Sequence, residues 1–189
     1  MNEFTLQRLV EGNRRFRKGR GERPHGDPDH RIAVATAQHP FALVVCCSDS
    51  REVPEIIFDC GLGDLFVVRS AGHVVGDTAL ASIEFGVVNL GVRVIVVLGH
   101  TACGAINATL DHLSSGAAAP GHLPRLLAAI EPAVLGAIDA NTVITEHVRR
   151  TCQAIRSDLD EIDSGLAVEV AVHGAVYDLA SGKVRFHAK

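Results

Sequence analysis

Two apolar runs, Phe41 to Val45 (FALVV) and Val92 to Leu98 (VRVIVVL), each lead straight into a polar turn. Short runs this rich in β-branched residues read as strands buried on both faces, the pattern of a parallel sheet covered by helices. The first opens into Cys47-Ser48-Asp49-Ser50-Arg51 and the second into His100-Thr101-Ala102-Cys103. In an open parallel sheet, ligands bind in the crevice outside the carboxyl ends of the strands. The pattern therefore brings two thiols, an imidazole, a carboxylate and a guanidinium to one edge of a sheet.

The rest of the chain supplies that sheet. Leu6, Leu9, Val10, Asn13 and Phe16 follow helical spacing, and Gly19 with Gly21 ends the helix. Gly21 to His30 reads as a loop, after which Asp27 or Asp29 caps a short helix through Ala37. Pro54 opens a helical turn through Phe58, and Leu65 to Arg69 is a second strand. A largely apolar helix starts at Gly76-Asp77-Thr78, and another starts at Cys103 and runs toward Leu113. Ser114 to Pro120 is a loop. Leu123 to Ile138 and Thr142 to Ile155 read as helices, with a break near Glu131 imposed by Pro132. Val168 to Val172, Gly174 to Leu179 and Val184 to Phe186 read as strands, the last two joined by a turn at Ala180-Ser181-Gly182. The expected fold is α/β: a mostly parallel central sheet with an antiparallel edge strand, flanked by helices.

The 189 residues fall within the size of one domain, taken as 1–189, with 1–38 as an amino-terminal helical arm. With 47% hydrophobic and 21% charged residues and a net charge of −4, the composition argues against a general nucleic-acid or anionic-membrane role. The basic cluster Arg14, Arg15, Arg17, Lys18 and Arg20 reads as the solvated end of a helix. The start shows no secretory signal and no apolar run is long enough to span a bilayer, so the expected compartment is the cytoplasm. Cys46, Cys47, Cys60, Cys103 and Cys152 make an odd number, which fits reduced thiols. Cys46 is expected on the opposite face from Cys47, because strand residues alternate.

Two soft thiolates and an imidazole are a zinc-like ligand set that leaves a fourth tetrahedral position for water or a carboxylate. Asp49 and Arg51, two residues apart, can pair on one side of the turn. Nucleotide readings fail locally. Gly61-Leu62-Gly63 lacks the third glycine of a dinucleotide fingerprint, and Gly72 to Gly76 lacks the Lys-Ser/Thr of a phosphate loop. His73 and His173 read as structural histidines, and His112, His122 and His147 as surface ones.

CxDSR followed by HxxC, joined through GLGDLFVVRSAGHVV and an apolar run into GH, resembles the β-class carbonic anhydrases. The resemblance runs from about Leu6 to Val184 and takes in EGNRRF, AQHP and the terminal AVYDLASGKV. It implies zinc on Cys47, His100 and Cys103, with Asp49 and Arg51 as the catalytic dyad. It also implies a substrate pocket lined by Gln38, Phe66 and Phe85, the glutamine commonly supplied by a partner subunit. Ala71 and Gly104 are expected to complete that pocket. Two positions depart from the common pattern: Arg69-Ser70-Ala71-Gly72-His73 stands where many members read RNxAN, and Phe85 where tyrosine is frequent. The chain has no Trp, so the tryptophan-containing bicarbonate pocket of one subgroup is not expected.

The implied activity is reversible hydration of carbon dioxide to bicarbonate and a proton, by a homodimer or homotetramer whose arm lies across a partner. Asp49 would orient the attacking oxygen, with Arg51 keeping it ionised. The same carboxylate could instead take the fourth zinc position and shut the site. Two alternatives share the residues: hydrolysis of carbonyl sulfide or carbon disulfide, and a zinc-stabilised regulatory or binding domain with Asp49 as permanent fourth ligand.

Overall fold

The computed structural model describes residues 2–135, 137 and 139–187. Five strands form one sheet: β1 (Ala42–Cys47), β2 (Leu65–Ser70), β3 (Val94–His100), β4 (Ala171–Tyr177) and β5 (Val184–Phe186), in the order β2-β1-β3-β4-β5. All neighbours run parallel except β4 and β5, which form the antiparallel edge. From β1 the chain crosses to β2 on one side and returns to β3 on the other. The switch point of the topology therefore lies between β1 and β3, where a ligand crevice opens in this class of sheet. Cys46 pairs with Leu98, so Cys47 and His100 end neighbouring strands at nearly the same height.

Every residue of β1 and β3 is buried, because helices cover both faces of the sheet. Ala42, Val44 and Cys46 face Leu9 of α1 (Asn2–Arg17), Ile57 of α3 (Pro54–Ile57), Phe58 and the β5 edge. Leu43 and Val45 face Ile83 and Val87 of α4 (Asp77–Val88), and Val148, Cys152 and Ile155 of α7 (Ala140–Ile162). Cys46 and Cys47 thus point to opposite sides, as the alternation requires. Cys47 joins a third cluster with Cys103, Ile106 of α5 (Gly104–Ser115) and Ile130 of α6 (Leu123–Val134).

Helix α1 docks on its own chain. Leu9 is fully buried, and the Asn13 side chain donates to the Ile57 and Gly182 carbonyls while accepting from the Val184 N–H. Gly12 allows this approach, since a Cβ there would sit 1.8 Å from the Phe58 carbonyl oxygen. Phe4 and Val10 of the same helix remain exposed.

Several boundaries differ from the sequence reading. Helix α2 (Pro28–Ala33), capped by Asp27, stops short of Ala37, with Val34 as its last capping residue. Strand β3 starts at Val94 rather than Val92, whose N–H bonds the Gly86 carbonyl instead of a strand. Val168 is not in a strand: α8 (Ser164–Glu169) precedes β4, whose first residue Ala171 pairs with Val94, the first residue of β3. Pairing begins where a neighbour exists, which overrides the β preference of Val168. Strand β4 runs unbroken through His173 and ends at Tyr177 rather than Leu179. Pro132 does not break α6, because it stands in the last turn and the helix ends at Val134. The expected far end at Ile138 lies outside the described residues. Asp139 caps α7 by accepting the Thr142 N–H, and that helix extends past Ile155 to Ile162.

Candidate metal centre

At the switch point, the ligand atoms of Cys47, His100 and Cys103 lie within 4.8 Å of one another, and all three residues are buried. Each element aims one of them. Cys47 ends β1 and His100 ends β3. Cys103 is the capping residue of α5, reached through Ala102 in the left-handed region at φ 54°. That conformation is unusual for alanine and turns the chain sharply enough to return Cys103 toward His100.

The imidazole is set for a ligand. His100 Nδ1 lies 2.9 Å from the Thr101 carbonyl, which only accepts, so Nδ1 carries the hydrogen and Nε2 presents its lone pair. Among the described residues Nε2 is buried with no hydrogen-bond partner, a costly arrangement unless a cation takes the lone pair. The sulfurs act on each other. A hydrogen bond from the Cys103 thiol holds the Cys47 thiol well below the usual range for cysteine against the cost of burial, with His100 and the Gly72 N–H adding to the effect. Cys103 is pushed up by the same bond and by burial. A dication between the two sulfurs would let both ionise. The donor set fits zinc in type and number, with a fourth position left open.

Asp49 and Arg51 form a two-point pair, Nε to Oδ1 at 2.9 Å and Nη2 to Oδ2 at 2.7 Å, and the Arg51 N–H also donates to Oδ1 at 2.9 Å. Arg51 holds the Asp49 carboxyl well below the usual carboxylate range. Oδ2 stands 3.9 Å from His100 Nε2. With two donors on Oδ1 and one on Oδ2, the remaining acceptor capacity is greater at the oxygen nearer the centre.

Two supporting residues were not singled out by sequence. Arg69 on β2 donates to the carbonyls of Cys47, Asp49 and Glu52, clamping the whole turn. Glu52 is fully buried, accepts the Cys47 N–H at 2.7 Å, and is pushed up to about 8 by burial. Nothing in the spacing of the CxDSR motif marks them, although a guanidinium one strand away could have suggested a carbonyl clamp. His147 also corrects the sequence reading. It is buried rather than on the surface, because its position on α7 turns inward toward the 3-10 turn Ala71–His73, where its Nε2 lies 2.9 Å from the Gly72 carbonyl.

The pocket residues divide into two groups. Ala71 and Gly104 border a cavity of about 510 Å3 together with Ala105, Leu123 and Leu127. Phe66 and Phe85 meet each other, with ring centres 6.2 Å apart, but away from the centre of their own chain. Phe66 pairs with Leu43, whereas Ser70 pairs with Cys47, so four residues or roughly 13 Å of strand separate Phe66 from the level of the thiolate. Gln38 is exposed on the loop before β1. A wider groove of about 1120 Å3, lined by Phe16, Pro24, Ile56 and Leu62, contains none of the site residues.

A family model described as carbonic anhydrase matches residues 42–184, a span that includes all five residues of the ligand set and the Asp-Arg pair. The chain is 41% identical to carbonic anhydrase 2 of Mycobacterium tuberculosis H37Rv, over 93% of this chain and 87% of that protein. It is 39% identical to the carbonic anhydrase of Mycolicibacterium smegmatis, over 95% and 90%. Among solved structures it resembles a chain from two tetrameric β-carbonic anhydrases of Sordaria macrospora, with TM-score 0.72 and 25% identity, covering 98% of each chain. Sequence and fold agree over nearly the whole length, and the chain belongs to the carbonic anhydrase family, in its β class.

Proposed function

We propose that this chain catalyses the reversible hydration of carbon dioxide to bicarbonate and a proton, with one zinc ion held by Cys47, His100 and Cys103. The observation that carries the reading is the buried, unpartnered His100 Nε2 facing two sulfurs beside a carboxylate fixed by Arg51. Held by Cys47, His100 and Cys103, a zinc ion would supply the Lewis acidity that makes water nucleophilic near neutral pH. The protein's residues do the rest. Asp49 accepts a hydrogen bond from the attacking oxygen at Oδ2 and so aims its other lone pair at the carbon. Arg51 keeps Asp49 ionised and, by holding both carboxylate oxygens, restrains it from the fourth ligand position. That restraint weighs against the reading of Asp49 as a permanent ligand in a regulatory domain.

Carbon dioxide needs an apolar wall and few polar handles. Ala71 and Gly104 border a cavity whose wall is largely apolar, with Ala105, Leu123 and Leu127. Phe66 and Phe85 lie too far along the sheet to wall their own centre, and Phe85 is 46% exposed, so in this reading they and Gln38 complete the site of a second copy. A homodimer is then the minimal active unit, and a homotetramer is compatible with it. The relatives of Sordaria macrospora are described as tetrameric. Cytoplasmic residence is supported by five free cysteines. Among the described residues no helix is long and apolar enough to cross a membrane.

The test is stopped-flow hydration of carbon dioxide, run beside consumption of carbonyl sulfide and carbon disulfide on the same preparation of measured zinc content. Fast hydration with negligible turnover of the sulfur compounds supports the proposal. The reverse result assigns the site to sulfur-substrate hydrolysis, and no turnover of any of the three favours the regulatory domain.

A further inference from the structure

Behind Cys47 lies a chain of contacts that the reaction does not use directly. The Gly72 N–H donates to Cys47 Sγ at 3.2 Å, and the Gly72 carbonyl accepts from His147 on α7 at 2.9 Å. A carbonyl only accepts, so His147 Nε2 carries the hydrogen. Gly72 adopts φ 61°, in the left-handed region that glycine enters freely. Space also demands glycine, since a Cβ there would lie 3.0 Å from Ile130 and 3.1 Å from Ala105. The residue that presents a donor to the thiolate is thus the least constrained one in its turn, and His147 anchors it from the side away from the sulfur.

His147 is itself fixed. It is 5% exposed, and the ring of His73 lies against it with centres 4.4 Å apart. His73 is wedged against β3, close enough that a Cβ on Gly99 would come within 3.3 Å of its ring. An N–H directed at a thiolate lowers its basicity, and such outer partners of metal ligands are worth tenfold or more in affinity.

We infer that His147 is a positioning residue for the metal centre: by holding the Gly72 carbonyl it fixes the backbone conformation at Gly72, and with it the direction of the N–H on the preceding peptide that donates to Cys47 Sγ. The inference rests on the proposal that Cys47 is a metal ligand. It goes beyond that proposal in assigning a role to a buried side chain of α7 that touches neither metal nor substrate.

The test replaces zinc with cobalt(II), whose thiolate charge-transfer band reports the electron donation of the sulfurs. Two variants are compared with wild type: His147→Gln, which keeps a side-chain donor, and His147→Met, which keeps similar bulk without one. The expected result is a shifted band in the Met variant and cobalt affinity lower by about tenfold in competition with a chelator. The Gln variant stays close to wild type in both. Equal behaviour of all three proteins overturns the inference, and so does equal impairment of both variants, since that makes His147 a packing residue. If the Met variant does not fold, His147→Phe, which also keeps bulk without a donor, takes its place and is read in the same way against the Gln variant. As an independent check, cadmium-substituted wild type should show scalar coupling between the metal and the Gly72 amide proton, and its absence counts against the N–H to sulfur bond. Wild-type protein that binds no cobalt refutes the underlying metal reading instead, which keeps the two failures apart.

Discussion

Arg51 grips Asp49 by both carboxylate oxygens, at 2.9 and 2.7 Å, and brings Oδ2 to 3.9 Å from the unpartnered Nε2 of His100. Asp49→Asn keeps the shape but loses the anionic acceptor. Turnover in carbon dioxide hydration is expected to fall at least about a hundredfold with zinc content nearly unchanged, the scale of a lost acid–base group. Metal analysis and stopped flow on the same sample check this. Loss of zinc in step with activity would make Asp49 a ligand.

Cys103→Ser replaces a soft donor with a weak one at the start of α5. Most of the bound zinc and most of the activity should disappear together. A variant with stoichiometric zinc and full turnover would remove Cys103 from the ligand set.

Pocket sharing between copies is tested by complementation. Phe85→Glu should bind zinc normally and hydrate carbon dioxide poorly, because its damage lies in the wall of the neighbour's site. Coexpressed with Asp49→Asn chains, it should regain activity: the mixed dimer has one site combining an intact dyad with an intact wall. No recovery in a verified mixed dimer contradicts sharing.

The arm depends on a close approach. Gly12→Ala places a methyl group against the Phe58 carbonyl and should cost roughly 1–3 kcal/mol, measured by urea unfolding. Deletion of residues 1–20 should damage both association and turnover, and a fully active monomer in sedimentation analysis would contradict the role given to this arm.

Asp59 links stability to pH. It accepts hydrogen bonds from Arg15 and from the N–H groups of Glu22 and Arg23, and although burial opposes ionisation, these bonds leave its carboxyl below the ordinary range. A carboxyl lowered on folding contributes stability that is present above the unfolded value of about 3.9 and is lost as pH falls through the folded value. Unfolding free energy should therefore drop below about pH 4. Asp59→Asn should be less stable at neutral pH, by roughly 1–3 kcal/mol, with a shallower drop in acid. Parallel acid profiles for the two proteins would contradict this.

The strand runs, the turns after them and the alternation that separates Cys46 from Cys47 were legible in the sequence, because each follows from local pattern. So was the gathering of Cys47, His100 and Cys103 at one edge of the sheet, since all three sit next to strand ends. The start of β4 was not legible, since Val168 has strand chemistry but no neighbour to pair with, and pairing is a tertiary fact. The intact helix at Pro132 depended on where α6 stops, which a proline signal does not tell. Arg69, Glu52 and His147 escaped because their roles are bonds to backbone atoms distant in sequence or hidden inside a turn. Histidine on a helix looks like a surface residue until the facing element is known.

The central claim is that hydration runs at a zinc held by Cys47, His100 and Cys103. The most direct test strips the protein of metal and restores zinc in steps, with the carbon dioxide hydration rate followed by stopped flow at each measured zinc content. The rate should rise in proportion to bound zinc, from the buffer background, and level off at one zinc per chain. A rate independent of bound zinc, or a fully loaded protein no faster than buffer, would contradict the claim.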